Sequence, residues 1–488
     1  MAFLVGGANS LSAAYDIDNS CRFDSASNPV LSFDTGTATL GTKCTLSLWF
    51  KRSKLDSGTT QYWLLGAKDT AESNIKFKAD KIEMHLTGSN YDYSSTRLFR
   101  DSAAWYHLVF SFDTTQGTAA NRVKMWVNGE AETLTTSGGG AIPQNDVMEF
   151  NKASLTHTLG AHGDSDHPSD GYMAEVYFVD GTAYDADDFG ETDSASGIWK
   201  PKSASVTFGN NGYYMEFKAS AVGSGSASTI GADTSGEDNH LTSANLATTD
   251  QCTATPTNNF ATLRIARDPA VSGAVLSEGN LKFVTGTSGS GRALGRSVYG
   301  TIPVNKGKWY FETKILIANI FVGVAPDEGA NVAASTGDNP RFVAYYPIGN
   351  GTIGQMYTKL QTTETYPTYG NQSSVNDILG VAVDMDNKLI YVRNSGGWAD
   401  DSGNWDEANP NESSSLNFNN DDTHLPGYVV PWASSSAGAT SSTIEWNFGS
   451  PPFAISSSNA DANGYGNFEY AVPSGYFAMC TKNLAEYG

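Results

Sequence analysis

No apolar stretch in this 488-residue chain approaches the roughly 20 consecutive residues that a membrane-spanning helix needs. Cysteine is scarce. Cys21, Cys44, Cys252 and Cys480 are the only four, and none forms a CxxC pair, which excludes a disulfide framework. Only Cys21 and Cys44 stand close enough in sequence to suggest a bridge, and buried free thiols are the simpler expectation. Basic residues are few: 30 Lys and Arg against 52 Asp and Glu leave a formal charge of −22. That balance argues against a nucleic-acid or anionic-membrane surface and favours solubility and cation binding. The opening "MAFLVGGANS" has neither a basic region nor a long apolar segment, so the expectation is synthesis in a reducing cytoplasm without a secretion signal. Long amphipathic helical patterns are missing too.

Alternation with a period of two fills their place. In "TLSLWF" (45–50), Leu46, Leu48 and Phe50 share one face, and Thr45, Ser47 and Trp49 the other. "WYHLVFSFD" (105–113) repeats the pattern. "RVKMWVNGE" (122–130) alternates up to Asn128-Gly129, a strong hairpin signal, and "IKFKADKIEMHL" (75–86) predicts a hairpin turning at Ala79-Asp80. Fifty glycines suit many turns between short strands. From 219 to 275 the chain becomes rich in Ser, Gly, Thr and Ala and poor in large apolar residues, which reads as an irregular connector. Strand signals resume with "GKWYFETKILI" (307–317), "IFVGVAP" (320–326) and "ILGVAVDMDNKLIYVRNSG" (378–396), the last with a tight turn expected at Asp386-Asn387. The reading is an all-β chain: two antiparallel, jelly-roll-like β-sandwich domains, 1–218 and 276–488, joined by the connector.

The first region resembles laminin-G or concanavalin A-like lectin domains through "TLSLWFKRS", "AWYHLVFSFD", "KMWVNGE" and "DGYMAEVYFVDGTAYDADDFGE", in that order. The second resembles SPRY domains through "GKWYFETKI", "FVGVAP", "LGVAVDMDNKLIYVRNSG" and "EWNFGSPPF". The combination, joined by "LATTDQCTATPTNNFATL" (246–263), is similar to virion proteins of tailed phages, many of them marine. That resemblance implies a virion-surface location and a homo-oligomer, a trimer by default. It also implies other virion proteins as neighbours and a host-surface glycan or protein as ligand, with no nucleic acid and no membrane insertion.

Three kinds of chemistry compete for the polar residues. Glycanases of concanavalin-like folds place carboxylates two residues apart on one strand, and a retaining pair needs about 5 Å between them. Here only Glu130 and Glu132 approach that spacing, beside a hairpin. G-x-S-x-G, H-E-x-x-H and P-loop motifs are missing, so the expectation is a non-enzymatic protein. For metal, "DGTAYDADDFGE" (180–191) puts Glu191 at the twelfth position of a calcium loop, but Thr182, Tyr184 and Asp185 stand at earlier required positions. "DADDFG" reads instead as a capped turn with Phe189 plugging the sandwich edge. The preceding strand is expected to place Tyr172, Ala174, Val176 and Phe178 on one face. The upstream loop "THTLGAHGDSDHPSDG" (156–171) is the better candidate, with Asp164, Asp166 and Asp170 as calcium ligands and its histidines suited to a transition metal. For ligand binding through aromatics, "GGWADDSGNWDEANPN" (396–411) offers Trp398 and Trp405 beside Asp400 and Asp401, with Trp432 on the same rim. Exposed rings stack on a sugar's apolar face while nearby carboxylates accept its hydroxyls. Against this stands the possibility that each Trp anchors its own loop. The tryptophans in strands, Trp49, Trp63, Trp105, Trp126 and Trp309, are expected to pack. Adhesion through lectin-like and SPRY-like domains is the leading expectation. A capsid or tail cement protein is the alternative, and a glycan-cleaving enzyme comes third.

Overall fold

Alternation becomes antiparallel sheet almost everywhere in the computed structural model. It describes residues 15–68, 72–86, 91–162, 167–265, 274–285, 297–317, 320–327, 342–347, 355–360, 363–365, 369–410, 416–417, 427–435 and 442–488. The chain divides into two compact units, Leu11–Asn258 and Asn259–Gly488.

In the first unit two sheets, each of eight described strands, enclose one core. One sheet runs from the edge strand Glu130–Ala131 through Val123–Val127, Trp105–Asp113, Lys43–Arg52 and Gly171–Asp180 to Ser20–Phe23 and Gln251–Cys252. The other runs from Leu134–Gly138 through Tyr91–Ser95, Lys81–Leu86, Glu72–Lys78 and Gln61–Lys68 to Thr156–Leu159, Val30–Asp34 and Thr242–Ala244. Leu46, Leu48 and Phe50 point into the core, and Phe50 stacks on Phe77 of the facing sheet at 5.3 Å. Both predicted hairpins form. Ala79 and Asp80 have φ of 49° and 59°, and Asn128 and Gly129 have 50° and 79°, the paired positive values of the tight turn that matches strand twist. A Cβ on Gly129 would also lie 2.3 Å from the Trp199 ring.

The strand Gly171–Asp180 departs from strict alternation. Its register with Lys43–Arg52 shifts between Ala174 and Tyr177, and Glu175 there has φ of 50°. This bulge inserts a residue, so Tyr172 and Ala174 face outward while Val176 and Phe178 face the core. The four residues expected on one face are split between two, because period two holds only while the ladder is unbroken.

The Ser- and Gly-rich stretch is corrected as well. Residues 219–258 belong to the first unit: Thr242–Ala244 pairs with Val30–Asp34, and Gln251–Cys252 with Ser20–Phe23. Ile230, Leu241 and Leu246 reach the core, and buried Arg22 is paired with Asp250 at 3.0 Å. Few large residues suffice when each is placed over the core. All four cysteines are buried thiols outside any disulfide.

The second unit begins at Asn259, and its first strand is Leu263–Ile265. Its sheets hold seven and ten described strands around a core that includes Phe283, Trp309, Phe311, Tyr345 and Trp446. The turn expected at Asp386-Asn387 extends to Lys388, whose φ is 59°; Asp384 accepts from the backbone of both predicted residues. Two buried carboxylates bind the C-terminal segment. Glu312 accepts from Glu469 N and Tyr470 N, and Asp461 from Ala478 N and Asn483 Nδ2.

Candidate functional site

The aromatic loop of the second unit is an anchor. Trp398 is 3% exposed, and Trp432 is fully buried, stacked on Phe342 at 4.5 Å. Neither ring offers a face to solvent, so the stacking role expected of them is corrected. Trp405 is half-buried, lies edge-on to Tyr345 at 5.6 Å, and closes over Gly370, where a Cβ would be 2.9 Å from its ring. Asp400 folds the loop by accepting from Ser402 N, Asn404 N and Asn404 Nδ2, which holds its carboxyl below the ordinary range against the opposing effect of desolvation. Only Asp401 of this set is exposed. A long loop needs buried side chains to fix it, and the tryptophans supply them.

In the first unit, Asp164 and Asp166 lie outside the described residues. Asp170 is 4% exposed and engaged: its Oδ2 accepts from Ser25 N and Ser25 Oγ and faces Lys54 Nζ at 3.3 Å. Burial, aided by Asp24, raises its pKa. Asp24 Oδ1 is itself buried without a hydrogen-bond partner. Sequence spacing gave no hint of Asp24, 146 positions upstream of Asp170. His162 packs edge-on to Trp63 at 4.4 Å and lies 3.3 Å from Glu72, while His157 is buried against the Phe150 carbonyl. Among the described residues, no three His, Cys, Asp or Glu side chains are grouped to hold a metal ion.

Two further constellations sit on the outer face of the first sheet. Glu175, on the bulge, accepts at Oε2 from Tyr15, Tyr177 and Tyr214 at 2.7, 2.8 and 2.6 Å. Burial outweighs these donors and raises its pKa. The second is a Ser–His pair: Ser47 Oγ lies 3.0 Å from His107 Nε2. Trp199 Nε1 donates to His107 Nδ1 at 3.0 Å, so the neutral ring carries its proton on Nε2 and donates to Ser47. Burial lowers the His107 pKa to about 3. A base must accept from its nucleophile, and this ring is wired the other way.

The open edge of the same unit holds a cleft of about 450 Å³ between Val123–Val127 and Leu134–Gly138. Val123, Met125 and Tyr93 form its buried floor, and exposed Lys124 and Thr136 border it. Four alanines, Ala119, Ala120, Ala131 and Ala141, leave the mouth wide. The volume falls within the roughly 300–1,000 Å³ common for ligand sites, and the apolar floor is bordered by a few polar groups. The sequence signal was present but unremarkable: small residues on either side of the Asn128-Gly129 hairpin.

Residues 24–187, which include this cleft, match the family model described as the concanavalin A-like lectin/glucanases superfamily, Laminin_G_3. No curated protein matches the chain. Among solved structures, the SPRY domain of human HERC1 is similar at 13% identity over 37% of this chain and 95% of that one, with a TM-score of 0.25. Domains LG4-5 of the mouse laminin α1 chain are similar at 8% identity over 89% of each chain, with a TM-score of 0.28. A putative carbohydrate-binding protein from Bacteroides ovatus is similar at 15% identity over 47% of this chain and 58% of that one, with a TM-score of 0.32. The family match is thus confined to residues 24–187 of the first unit, a stretch similar to the concanavalin A-like lectin/glucanases superfamily.

Proposed function

We propose that the protein is a non-enzymatic binding protein whose lectin-like unit takes a saccharide in the cleft between Val123–Val127 and Leu134–Gly138. The observation that carries the reading is a ligand-sized, apolar-floored cleft within the very residues that match the lectin-type family. The finer reading rests on the motif order of the two regions: a component of a tailed-phage virion surface, present in several copies, that adheres to a host glycan. Many weak contacts gain strength through copy number there. Ala141→Trp narrows the cleft at a half-exposed position and leaves the core intact. A glycan array with the purified chain should show saccharide binding that this variant loses. Equal binding by the variant would move the site elsewhere. Capture of virion proteins alone, with no glycan, would favour cement, and depolymerised glycan would favour an enzyme.

A calcium site is the second reading, favoured by the unpartnered, buried Asp24 Oδ1 beside Asp170. Asp24 and Asp170 would supply oxygen ligands, the donor type calcium prefers. A chelator should then lower the melting temperature, with calcium restoring it; an unchanged melt refutes it.

A further inference from the structure

Arginine is rare among the described residues, and almost every one is neutralised or capped. Arg22 meets Asp250, Arg52 and Arg100 meet Asp80, Arg97 meets Glu130 and Glu132, and Arg264 meets Asp327. Arg122 donates to the carbonyls of Gln116, Gly117 and Ile142. Arg393, in the strand Leu389–Asn394 of the second unit, is the exception. Its Nε donates to the Asn394 carbonyl at 3.3 Å, and among the described residues its terminal nitrogens have no hydrogen-bond or ion-pair partner. In a chain with 52 acidic residues, such an arginine requires a reason.

Its surroundings hold it in place. The guanidinium carbon lies 5.5 Å from the centre of the Trp398 ring and 4.3 Å from that of Tyr470. Trp398 is its cross-strand partner on one side and Gly380 on the other. A Cβ on Gly380 would come within 2.8 Å of Arg393 Cγ, so glycine there is what lets the stem lie across the sheet. Tyr470 is fixed in turn, its hydroxyl donating to the Ile378 carbonyl at 2.9 Å. The acids nearest this ring are engaged elsewhere: Glu312 accepts four hydrogen bonds, Glu469 binds Ser456, and Asp377 accepts from Ser374 N. Arg393 itself is half-exposed. A guanidinium fork held against two rings, with its outer donors unpartnered among the described residues, is preorganised to grip a planar anion.

We propose that Arg393, with Trp398 and Tyr470, forms a subsite for the carboxylate of an acidic saccharide residue, such as a uronic acid. The chain's charge of −22 disfavours a polyanionic peptide or nucleic acid, whereas a sugar with one carboxylate among neutral hydroxyls meets little repulsion. Half-exposed Tyr470 gives the sugar ring a wall, and the carboxylate takes the fork in a bidentate pair. The site lies in the second unit and does not depend on the cleft proposed above.

The test titrates the full chain with galacturonic acid, its neutral methyl ester and galactose, following tryptophan fluorescence and ligand-observed NMR. Galacturonate should bind at least about tenfold more tightly than the ester or galactose, and Arg393→Lys, which keeps the charge but loses the fork, should weaken it at least about tenfold. Ala141→Trp should leave galacturonate binding intact, which separates failure here from failure of the cleft. Unchanged melting temperature of Arg393→Lys confirms that the fold survives. Equal affinity for acid and ester, full binding by the lysine variant, or tighter binding of a capped aspartyl peptide than of galacturonate would each overturn the proposal. So would no binding by the folded wild-type chain.

Discussion

Glu312 offers the sharpest test of how this protein balances burial against hydrogen bonding. Its carboxylate is fully buried; Oε1 accepts from Tyr310 Oη at 3.0 Å and Tyr470 N at 2.8 Å. Oε2 accepts from Asn447 Nδ2 at 3.1 Å and Glu469 N at 2.9 Å. Four donors favour the charged form, yet desolvation outweighs them and raises the pKa from 4.5 to about 7. The sign follows. Between those values the folded chain holds a proton that the unfolded chain has lost, so stability falls as pH rises. Raising the carboxyl from 4.5 to about 7 corresponds to about 3 kcal/mol. Glu312→Gln removes the titration but turns an amide group toward two donors, which costs roughly 1–3 kcal/mol at low pH. Wild type should therefore be the more stable at pH 4, and its advantage should shrink by about 3 kcal/mol by pH 8. Urea unfolding of both proteins across that range, followed by tryptophan fluorescence, measures the difference directly, since other titrating groups cancel. A constant difference would mean that Glu312 titrates as in water. A widening one would mean that the four donors win and the folded pKa is depressed.

Other substitutions probe other links. Gly160→Ala places a Cβ within 2.2 Å of the Phe23 ring at φ of 86°, so calorimetry should show a loss of roughly 2 kcal/mol or more; a loss below 0.5 kcal/mol would contradict the packing. Tyr214→Phe removes one of three donors to Glu175 and should cost about 1–3 kcal/mol in urea melts, whereas a neutral result would show that the buried carboxyl needs only two. Trp432→Ala empties a fully buried site and should cost roughly 3–5 kcal/mol; unchanged stability with lost glycan binding would restore Trp432 as a ligand contact.

How far the sequence could be read depends on whether a feature is local. Alternation, the two primed turns and the capped turn before Phe189 need only neighbours a few positions away, and all are present: Asp185 and Asp188 form a reciprocal capping box, and Phe189 is 3% exposed. The bulge at Glu175 broke the alternation, and nothing in "MAEVYF" announces it, because the third tyrosine that surrounds the glutamate arrives from Tyr15, 160 residues away. The apparent connector was misread for a related reason. A window poor in large side chains looks like a linker, yet Leu241 and Asp250 each complete a contact prepared elsewhere in the chain.

Acidic residues show the same limit most clearly, and they bear on where a ligand can bind. Counting carboxylates directed attention to stretches dense in Asp and Glu. In the fold, several of these groups are consumed by backbone amides: Asp180 by Thr39 and Asn211, Asp400 by Ser402 and Asn404, Glu132 by Thr96 and Arg97. An all-β chain with many irregular connections has numerous orphan N–H groups, and short acidic side chains are the cheapest acceptors for them. A net charge of −22 therefore reflects loop architecture as much as any site. The chemically informative residue is then the rare one left unneutralised. By that logic a cation such as Arg393, unpaired among the described residues, marks a binding position better than any cluster of aspartates. The contrast can be measured: Asp401→Asn, at an exposed position in the loop that also holds Asp400, Asp406 and Glu407, should leave galacturonate affinity within about twofold, while Arg393→Lys weakens it at least about tenfold. If the aspartate change weakened binding as much as the arginine change, the acidic loop would be the site after all.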